Sequence, residues 1–387
     1  MEVLFITHKY PPSVGGMQKQ SFELIRGMSR RVKVHTLIHG GDSGKWKFFL
    51  TLKRRVRKIL AENPGISIIH LNDGLMGFFS LPLRAITDLP IVVTLHGLDV
   101  VMPAGWFQKR IIPRFAAYDG VIAVSTATAK ACTDRGFDPA KVTVVPNGVD
   151  TTLGDLPAVP NYRAVIGRRL GVDLSHKKLL VMLGRPVPRK GFNWFVREVL
   201  PRLDPEVVCL HIGPSSATMG FKNFLLRLLP FDLGRQLALI FGMPTDEPAL
   251  RRELARPEMA GRAYRLGGLP FKDLIQTLLC ADLYVMPNIK VEGDMEGFGL
   301  AALEAAICGL PVAAAEIDGI TDAVRDGNNG VLLPPGDADA WVRRITGLLA
   351  DPARLKELGR TGKEFTTANY SWEKMVDGYE AVFKKFV

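Results

Sequence analysis

Short apolar runs alternate with longer helical patterns along the chain, and this alternation constrains the fold more than any other feature of the sequence. The runs are apolar on both faces, as strands are when helices cover both sides of their sheet. Such strands, separated by helices, predict parallel sheets with crossover connections. The first series of predicted strands comprises Val3–Thr7, Val32–Ile38, Ile66–His70, Ile91–Leu95, Gly120–Val124 and Val142–Val145. The second series comprises Leu179–Leu183, Val207–Ile212, Tyr264–Leu266, Leu283–Met286, Val312–Ala314 and Val331–Leu332.

A segment rich in Pro, Gly and Arg, Asp150–Lys177, separates the two series of strands. The chain has 387 residues, whereas single cores tend to stop growing near ~250–300 residues. We therefore predict an α/β protein with two doubly wound domains joined near residues 147–177. Ligands of such sheets bind at the carboxyl ends of the strands, so the expected site is a cleft between the two domains.

Composition and charge narrow the classes of partner. Hydrophobic residues make up 47% and charged residues 23% of the chain, which is typical of a soluble globular protein and excludes wholesale disorder. No apolar run approaches the ~18 residues of a membrane span, and the start of the sequence lacks the features of a signal peptide, so we expect a cytoplasmic protein. The net charge of +11 predicts an anionic partner, which is a nucleic acid, a phosphorylated small molecule or an acidic membrane surface.

The loop after the predicted strand Leu179–Leu183 has the composition of a phosphate site. It carries Arg185 and Lys190 and leads into a helical pattern over Phe192–Leu200. A guanidinium fork and an ammonium group there can converge on one phosphate cluster near a helix N-terminus. The alternative is a loop whose cations are simply solvated.

A second loop with anion-binding character follows the first strand and ends in Gly15-Gly16, ahead of a helical pattern. Unhindered backbone N–H groups at a helix N-terminus favour an anion, because the helix dipole is positive there. Paired glycines after a strand also serve as simple turns. Both interpretations are open at this point.

His96 directly follows the predicted strand Ile91–Leu95, with Gly97 next to it and Asp99 nearby. This is the end of a strand at which α/β proteins bind ligands. A lone histidine more often has a structural role than a catalytic one. Its position therefore makes His96 a candidate site residue without deciding between the two roles.

Residues 296–309 place two carboxylates around the start of a helix. The helical pattern begins near Leu300 and ends at Gly309. Glu296 precedes the helix, beside the freed N–H groups of its first turn. Glu304 falls within the apolar stripe of the helix, where a carboxylate needs donors from an arginine, from backbone N–H groups or from ligand hydroxyls. A structural ion pair and a ligand site both meet this need.

Glu-Gly-Phe-Gly-Leu, with a second Glu eight residues after the first, resembles the Glu-x7-Glu motif of the retaining family-4 glycosyltransferases. That family has the GT-B fold, in which two Rossmann-like domains face each other across a cleft. The resemblance covers nearly the whole chain, and its motifs are jointly specific. Further stretches that match in the same order are Tyr10–Gly16, Leu95-His96-Gly97, Val121–Ser125, Val145–Asp150, Leu183–Gly191 and Gly309–Val312.

The resemblance implies a role for each motif residue. Arg185 and Lys190 would hold the diphosphate of a nucleotide-sugar donor, and Glu304 would bind its ribose hydroxyls. Glu296 would hold the donor sugar, and His96 would lie beside the sugar during transfer. The residues implied in catalysis are His96, Glu296, Arg185 and Lys190. The residues implied in donor binding are Gly15, Gly16, Arg185, Lys190, Arg265, Leu266, Glu296, Gly297, Phe298, Gly299, Leu300 and Glu304.

The resemblance also implies the domain boundaries. The family's last helix crosses back to the first domain, and the C-terminal segment of this chain resembles that helix. The implied N-terminal, acceptor-side domain therefore comprises residues 1–165 and 370–387, and the implied C-terminal, donor-binding domain comprises residues 166–369. Arg265-Leu266 occupies the place where the family usually cradles the nucleotide base.

The family is thought to retain the anomeric configuration through a front-face substitution, in which the leaving phosphate helps to deprotonate the acceptor. Such a reaction requires positioning, and positive charge where the diphosphate leaves. The sequence has no evident Asp-x-Asp metal motif, and we interpret Glu292 and Asp294 as part of a flexible loop. The resemblance thus implies neither a metal ion nor a cofactor.

The leading hypothesis is a retaining, metal-independent hexosyltransferase in cell-surface polysaccharide or glycolipid biosynthesis. It would move a sugar from a nucleotide-diphosphate sugar to a glycan or a lipid-linked acceptor. The second hypothesis is a nucleotide-sugar epimerase or hydrolase on the same fold, with Glu296 or His96 as acid or base. The third, a nucleic-acid-binding protein, rests on charge alone and lacks a helix-turn-helix, zinc-finger or aromatic-basic signature.

Two segments outside the matched motifs carry further expectations. Residues 214–262 are longer than the family needs and include the apolar stretch Phe221–Phe231, which predicts either contact with lipid or another subunit, or an extra helix packed on its own domain. Lys45–Leu60 places apolar residues on one arc of a helical wheel and Lys and Arg on the rest. This pattern fits a peripheral helix on anionic lipid at the inner face of the membrane, or a surface helix whose apolar side covers the core.

Overall fold

A computed structural model of the chain describes residues 1–13, 15–39, 44–214 and 245–387. The predicted stretch Phe221–Phe231 lies outside the described residues. The chain divides into unit 1, which comprises Met1–Gly148 and Tyr370–Val387, and unit 2, which comprises Val149–Asn369.

The boundary between the units falls after residue 148, whereas the resemblance implied a boundary after residue 165. The intervening residues pack on unit 2, where the side chain of Gln276 bonds to their backbone. The N–H of Val159 donates to Gln276 Oε1 at 2.7 Å, and Gln276 Nε2 donates to the carbonyl of Pro157 at 2.9 Å. These tertiary bonds assign the segment to unit 2.

Unit 1 is built on one parallel sheet. Its strands are β1 (Glu2–Thr7), β2 (Lys33–Ile38), β3 (Ile68–Leu71), β4 (Ile91–Leu95), β5 (Gly120–Ala123) and β6 (Val142–Val144). They lie in the order β2-β1-β3-β4-β5-β6. Every residue of β3, β4 and β5 is buried, as expected for strands with helices on both faces. The strand order reverses between β1 and β3, and we call this position the switch point of unit 1.

Unit 2 repeats this plan with a second parallel sheet. Its strands are β7 (Lys178–Leu183), β8 (Val207–Ile212), β9 (Ala263–Gly267), β10 (Leu283–Met286), β11 (Val312–Ala315) and β12 (Val331–Leu333). They lie in the order β12-β11-β10-β7-β8-β9. The order reverses between β7 and β10, which is the switch point of unit 2.

Every strand of both predicted series is present, with bounds that differ from the prediction by at most two residues. The predicted fold class, two doubly wound parallel sheets, is therefore confirmed. For the central strands the prediction succeeded because a parallel strand covered on both faces must be apolar along its whole length, and this requirement is local.

Helices flank both sheets, and side-chain caps define where several of them begin. Asp73 Oδ1 accepts the N–H of Met76 at the start of α3, and Ser125 Oγ accepts the N–H of Thr128 at the start of α6. The described helices are α1 (Gly16–Met28), α2 (Lys45–Glu62), α3 (Gly74–Ser80), α4 (Leu98–Val101), α5 (Gly105–Arg110), α6 (Thr126–Thr133), α7 (Tyr162–Leu170), α8 (Phe192–Trp194), α9 (Glu247–Leu254), α10 (Phe271–Cys280), α11 (Leu300–Ile307), α12 (Ile320–Ala323), α13 (Ala338–Leu349), α14 (Pro352–Asn369) and α15 (Trp372–Phe383). In the described ranges, no helix combines the length and the apolar character that a bilayer crossing requires.

The C-terminal helix α15 returns to unit 1 and packs on α1. A Cβ atom at Gly27 would lie 2.6 Å from Val376 Cγ2, so the two helices approach each other closely. Gln20 Nε2 donates to the buried hydroxyl of Tyr379 at 3.0 Å. Because these contacts join the two ends of the chain, the last helix is part of the core of unit 1.

Candidate active site

The switch point of unit 2 gathers charged side chains from two loops. The loop after β7 carries Arg189 and Lys190, and the segment after β10 carries Asn288 and Glu296. The carboxyl ends of neighbouring parallel strands lie at one edge of the sheet, and at a switch point the loops diverge and leave a crevice. A ligand site of unit 2 is therefore expected at this edge.

Glu296 lies at the centre of this group. Its Oε2 atom is 2.7 Å from Lys190 Nζ, 3.2 Å from Asn288 Nδ2 and 3.4 Å from Arg189 Nε. The side chains of Glu296 and Lys190 are each 12% exposed. The predicted partners Glu296 and Lys190 are thus brought into direct contact, although more than a hundred residues separate them in the chain.

The environment fixes the charge state of Glu296. Burial disfavours its ionised form, but the positive charges of Lys190 and Arg189 outweigh burial and lower the pKa of Glu296 to about 2. The carboxylate is therefore ionised near neutral pH and accepts hydrogen bonds without donating a proton. This favours a role in binding hydroxyl groups over a role as a general acid.

Arg189, which the sequence analysis did not select, is a central member of the cluster. Its Nη1 atom lies 3.3 and 3.2 Å from the two carboxylate oxygens of Asp294, whose side chain is buried. The expectation that Asp294 belongs to a flexible loop is therefore wrong, because the carboxylate is held by this ion pair. A cation directly before Lys190 was the available signal, but its partner could not be identified from spacing.

Arg185 lies on the same loop with its side chain exposed, and no residue of the described chain forms an ion pair with it. It stands close enough to Arg189, Asp294 and Glu296 to interact with them electrostatically. The loop therefore presents one solvent-facing cation beside two that are already paired. This arrangement leaves the guanidinium of Arg185 available to an anionic ligand.

Helix α11 begins directly beside this cluster. Gly299 precedes it with a φ of 101°, a conformation that side chains other than glycine's rarely adopt, and no described side chain caps the helix. The first-turn N–H groups at Leu300 therefore point out of the helix without a side-chain acceptor. The preceding loop is held from the other side, where the N–H of Glu296 donates to Asp318 Oδ2 at 3.1 Å.

Glu304 lies one turn into α11. It is half-buried, whereas Leu303 and Ile307 on the same helix are fully buried. Burial and then the negative charges of Glu304 and Glu296 raise the pKa of the Tyr284 hydroxyl above its usual range. Both carboxylates of the predicted motif therefore lie near this buried ring of β10, at the edge of the apolar stripe rather than deep inside it.

Arg265, at the predicted base position, has a different set of partners. Its Nε and Nη2 atoms donate to the two carboxylate oxygens of Glu247 at 2.9 and 2.8 Å, and its Nη1 atom donates to the carbonyl of Gly213 at 3.0 Å. The guanidinium of Arg265 thus holds Gly213, the residue that follows β8, in place. The predicted contact of Arg265 and Leu266 with a base stays a prediction.

The remaining predicted residues belong to unit 1. His96 follows β4, and its Nε2 atom donates to the carbonyl of Asn72 at 2.9 Å, which leaves Nδ1 as the acceptor of the neutral ring. The N–H of His96 donates to Asp99 Oδ1 at 2.8 Å, and the N–H of Gly74 donates to Asp99 Oδ2 at 2.9 Å. Asp99 therefore orients the loop that carries His96 against the start of α3.

Gly15 and Gly16 also lie in unit 1, at the start of α1. The helix begins at Gly16, and no described side chain caps it. The structure thus places the glycine pair at a helix N-terminus, as the sequence predicted. Their proposed contact with phosphate or acceptor stays a prediction.

The switch point of unit 1 contains a buried imidazole–carboxylate contact that the sequence pattern did not reveal. His8, the first residue after β1, places Nδ1 3.0 Å from Asp73 Oδ2, and each side chain is 3% exposed. Burial opposes ionisation of Asp73, but His8 and the N–H of Met76 outweigh it and lower the pKa of Asp73 to about 2. The position of His8 and Asp73 after two strands was visible in the sequence. That the two strands are neighbours was not.

No group of three or more His, Cys, Asp or Glu side chains in the described part of the chain is arranged to hold a metal ion. The charged atoms at the switch point of unit 2 instead alternate in sign. Arg189 and Lys190 face Asp294 and Glu296, and Arg185 adds an exposed positive charge. Such a set can bind an anion and hydroxyl groups side by side.

Two family models match the chain. The model described as "Glycosyltransferase Family 4" matches residues 2–153, and the model described as "Glycosyl transferases group 1" matches residues 173–365. The first match covers most of unit 1, and the second covers most of unit 2. Together they account for both sheets.

Individual relatives agree with these models. An alpha-maltose-1-phosphate synthase of Mycolicibacterium smegmatis is 24% identical over 100% of this chain and 99% of its own length. A GDP-mannose-dependent alpha-(1-6)-phosphatidylinositol monomannoside mannosyltransferase of the same organism is 30% identical over 73% of this chain and 66% of its own length. The crystal structure of Anabaena HepE in complex with UDP and glucose has a TM-score of 0.75 and 17% identity, with both chains fully covered, which is a likeness in fold.

Proposed function

The chain belongs to glycosyltransferase family 4 and has the GT-B fold, and on this premise we propose that it transfers a hexose from a nucleotide-diphosphate sugar. The acceptor in this proposal is a glycan or a lipid-linked molecule, the anomeric configuration is retained, and no metal ion takes part. The observation that carries the proposal is the contact of Lys190 and Arg189 with Glu296 at the switch point of unit 2.

The donor diphosphate fits the charges of this site. Arg185 supplies an exposed guanidinium, and the uncapped first turn of α11 supplies N–H groups at the positive end of a helix. Lys190 has three N–H donors, so its ammonium group can keep Glu296 as a partner while it donates to a phosphate oxygen. Positive charge at this place stabilises the diphosphate as it leaves.

The two carboxylates fit the hydroxyl-bearing parts of the donor. Glu296 is ionised, so it accepts hydrogen bonds from hydroxyls of the transferring sugar. Glu304 lies one turn further along α11 and would accept hydrogen bonds from the ribose. The Anabaena structure contains UDP and glucose, and the mannosyltransferase is named for GDP-mannose, so the relatives support a nucleotide sugar without agreeing on the base.

The acceptor, in this proposal, binds at the switch point of unit 1. His96 presents Nδ1 as a hydrogen-bond acceptor because its Nε2–H is used by Asn72. The acceptor hydroxyl would lose its proton to the leaving phosphate, so the protein supplies orientation and charge and no strong base. The His8–Asp73 pair holds the loops after β1 and β3 in place for this purpose.

A panel of UDP-, GDP- and ADP-sugars tests the donor assignment by thermal shift and by slow hydrolysis of the donor. We expect one nucleotide sugar to raise the melting temperature of the wild type, and Lys190→Ala and Glu304→Gln each to reduce that rise. Lys272→Gln, an exposed cation on α10, is the matched control and should behave as the wild type. The assignment is wrong if no nucleotide sugar stabilises the protein, or if both site variants respond as the wild type does.

The products separate the proposed transfer from its alternative. Formation of a new sugar isomer without transfer would favour a nucleotide-sugar epimerase. Metal independence is tested by treating the enzyme with EDTA, which should leave transfer unchanged. A loss of activity that Mg²⁺ or Mn²⁺ restores would contradict that part of the proposal.

A further inference from the structure

The apolar arc predicted for helix α2 does not face solvent or lipid. Phe48, Phe49, Leu52 and Val56 are all buried against unit 1. The interpretation that the apolar side of this helix covers the core is therefore confirmed. A contact between α2 and a membrane would have to involve the exposed residues of the helix.

Beside the buried arc, α2 carries two exposed apolar side chains. Trp46 is 70% exposed and Leu50 is 80% exposed. At 100° per residue they lie within 40° of each other on the helix. Single exposed apolar residues are common on protein surfaces, whereas a contiguous exposed patch marks an interaction site, so the neighbours of Trp46 and Leu50 decide the matter.

Neighbouring helices extend this surface. The ring of Trp46 lies 6.3 Å from the ring of Phe79 on α3, Phe79 lies 5.0 Å from Phe78, and Phe78 lies 6.5 Å from Trp106 on α5. Trp106 is 55% exposed. We call this continuous surface the aromatic patch, and its members are Trp46, Leu50, Leu75, Phe78, Phe79 and Trp106.

Cations surround the aromatic patch. Lys47, Arg54 and Arg57 share the exposed face of α2 with Trp46 and Leu50, and Lys109 and Arg110 follow Trp106 on α5. None of these five cations forms an ion pair with a residue that the structure describes. The whole of α2 contains seven Lys or Arg residues and one acid. These exposed cations therefore give the rim of the patch a net positive charge that an anionic partner can neutralise.

We propose that the aromatic patch and its cations bind the surface of an anionic lipid bilayer. Tryptophan side chains favour the boundary between headgroups and acyl chains, and lysine and arginine favour anionic headgroups. A second copy of this chain fits less well, because a symmetric contact through this patch would bring like charges together. Charge complementarity thus selects the bilayer as the partner.

The patch borders the switch point of unit 1. Leu75 lies two residues after Asp73, and the ring of Phe49, beneath the patch, lies 5.6 Å from the ring of His8. A bilayer bound to the patch would hold lipid headgroups next to this site. In combination with the proposed function, the acceptor is then a lipid of that bilayer, and a soluble glycan is disfavoured.

Flotation of the intact protein with vesicles tests the surface without any donor, so its outcome is independent of the transferase proposal. We expect binding to vesicles that contain phosphatidylglycerol, weak binding to vesicles of phosphatidylcholine alone, and a loss of binding as salt rises. Each cation near an anionic surface contributes roughly a fivefold gain in affinity, so Arg54→Gln with Arg57→Gln should weaken binding roughly 30-fold. The matched control is Lys272→Gln with Lys356→Gln, two exposed cations of unit 2.

The apolar members have their own test. Trp46→Ala, Leu50→Ala and Trp106→Ala together should weaken binding about tenfold or more, while Leu156→Ala with Val165→Ala, which are exposed apolar residues of unit 2, should leave it unchanged. These residues are exposed, so the melting temperature of each variant should stay near that of the wild type. This comparison separates lost contact from lost folding.

Quenching by lipids with brominated acyl chains locates the contact. Tryptophan fluorescence of the wild type should be quenched by anionic vesicles that contain such lipids. Trp46→Phe with Trp106→Phe should remove most of the quenching while binding is kept. The proposal is overturned if the wild type does not bind anionic vesicles at low salt, if the glutamine and alanine variants bind as the wild type does, or if a dimer that depends on Trp46 forms in place of vesicle binding.

Discussion

The two switch points lie at equivalent places in their sheets but contain different chemistry. In unit 2, Lys190 and Arg189 face Glu296 and Asp294, so the site is a compact set of opposite charges. In unit 1, the polar groups bond mostly to the main chain, and a buried imidazole–carboxylate contact joins His8 to Asp73. In the proposed function, the topology sets where a ligand binds, and the local charge sets which part of the reaction each switch point serves.

The largest expected effect falls on unit 2. Lys190→Ala removes the cation nearest Glu296 and, in the proposed function, a donor to the leaving diphosphate. We expect kcat/KM for the donor to fall about 10²–10³-fold. Lys190→Arg should restore part of the loss. If the alanine variant transfers sugar as the wild type does, unit 2 does not hold the diphosphate at this position.

Lowering the pH should decrease the folding stability of unit 2, because Glu296 takes up a proton on unfolding. Its pKa falls from an ordinary 4.5 to about 2 on folding, so the unfolded chain binds more protons and stability declines as pH falls through this interval. The shift corresponds to roughly 3 kcal/mol of folding free energy. Urea unfolding should show a loss of roughly 2 kcal/mol between pH 7 and pH 3, and Glu296→Gln should flatten the dependence. A dependence that survives this substitution would place the acid-sensitive group elsewhere.

A smaller loss is expected at the switch point of unit 1. Asp73→Asn breaks the buried pair with His8 and weakens the cap of α3, which should lower the free energy of unfolding by roughly 1–3 kcal/mol. Asp134→Asn removes an exposed pair with Lys130 and is the control, with an expected effect of about 0.3–0.5 kcal/mol. Thermal shift by the donor should be unchanged in Asp73→Asn. A lost donor shift would mean that the two switch points are not chemically separate.

The smallest loss is expected from the substitution of Arg189, because this residue acts on the site through its contacts with Glu296 and Asp294. Arg189→Gln removes one of the charges that lower the pKa of Glu296, so the acid limb of the pH–activity profile should move to higher pH. We expect about a tenfold loss of kcat/KM at neutral pH, comparable to the loss of one charge-assisted contact. Arg189→Lys should restore the position of the acid limb. If the acid limb does not move in Arg189→Gln, the role of Arg189 is confined to its ion pair with Asp294.

Much of this molecule was predictable from short-range patterns. The strands followed from apolar runs, and the start of α11 followed from Gly299 and the helical pattern after it. Lys190, Glu296 and Glu304 were selected because their motif spacing is local and specific. Arg189 and His8 were missed because a side chain becomes informative only when its partner is known, and both partners lie in distant loops.

Helix α2 also shows what its own sequence could not decide. Its sequence predicted an amphipathic helix but left open whether the apolar arc covers the core or faces lipid. The structure buries that arc and exposes Trp46 and Leu50 beside it, where Phe79 and Trp106 continue the surface. No helical wheel of α2 alone includes residues from α3 and α5.

The sequence by itself determined the two parallel sheets, the family and the charged motif around Glu296. Burial on both faces of a strand and the chemistry of a loop depend on residues that are close together in the sequence. The tertiary structure alone decided the pairing of Arg189 with Asp294, the pairing of His8 with Asp73 and the outward face of α2. Those contacts depend on which strands and helices lie side by side. The strand order of a sheet sets that adjacency, and a one-dimensional pattern does not contain it.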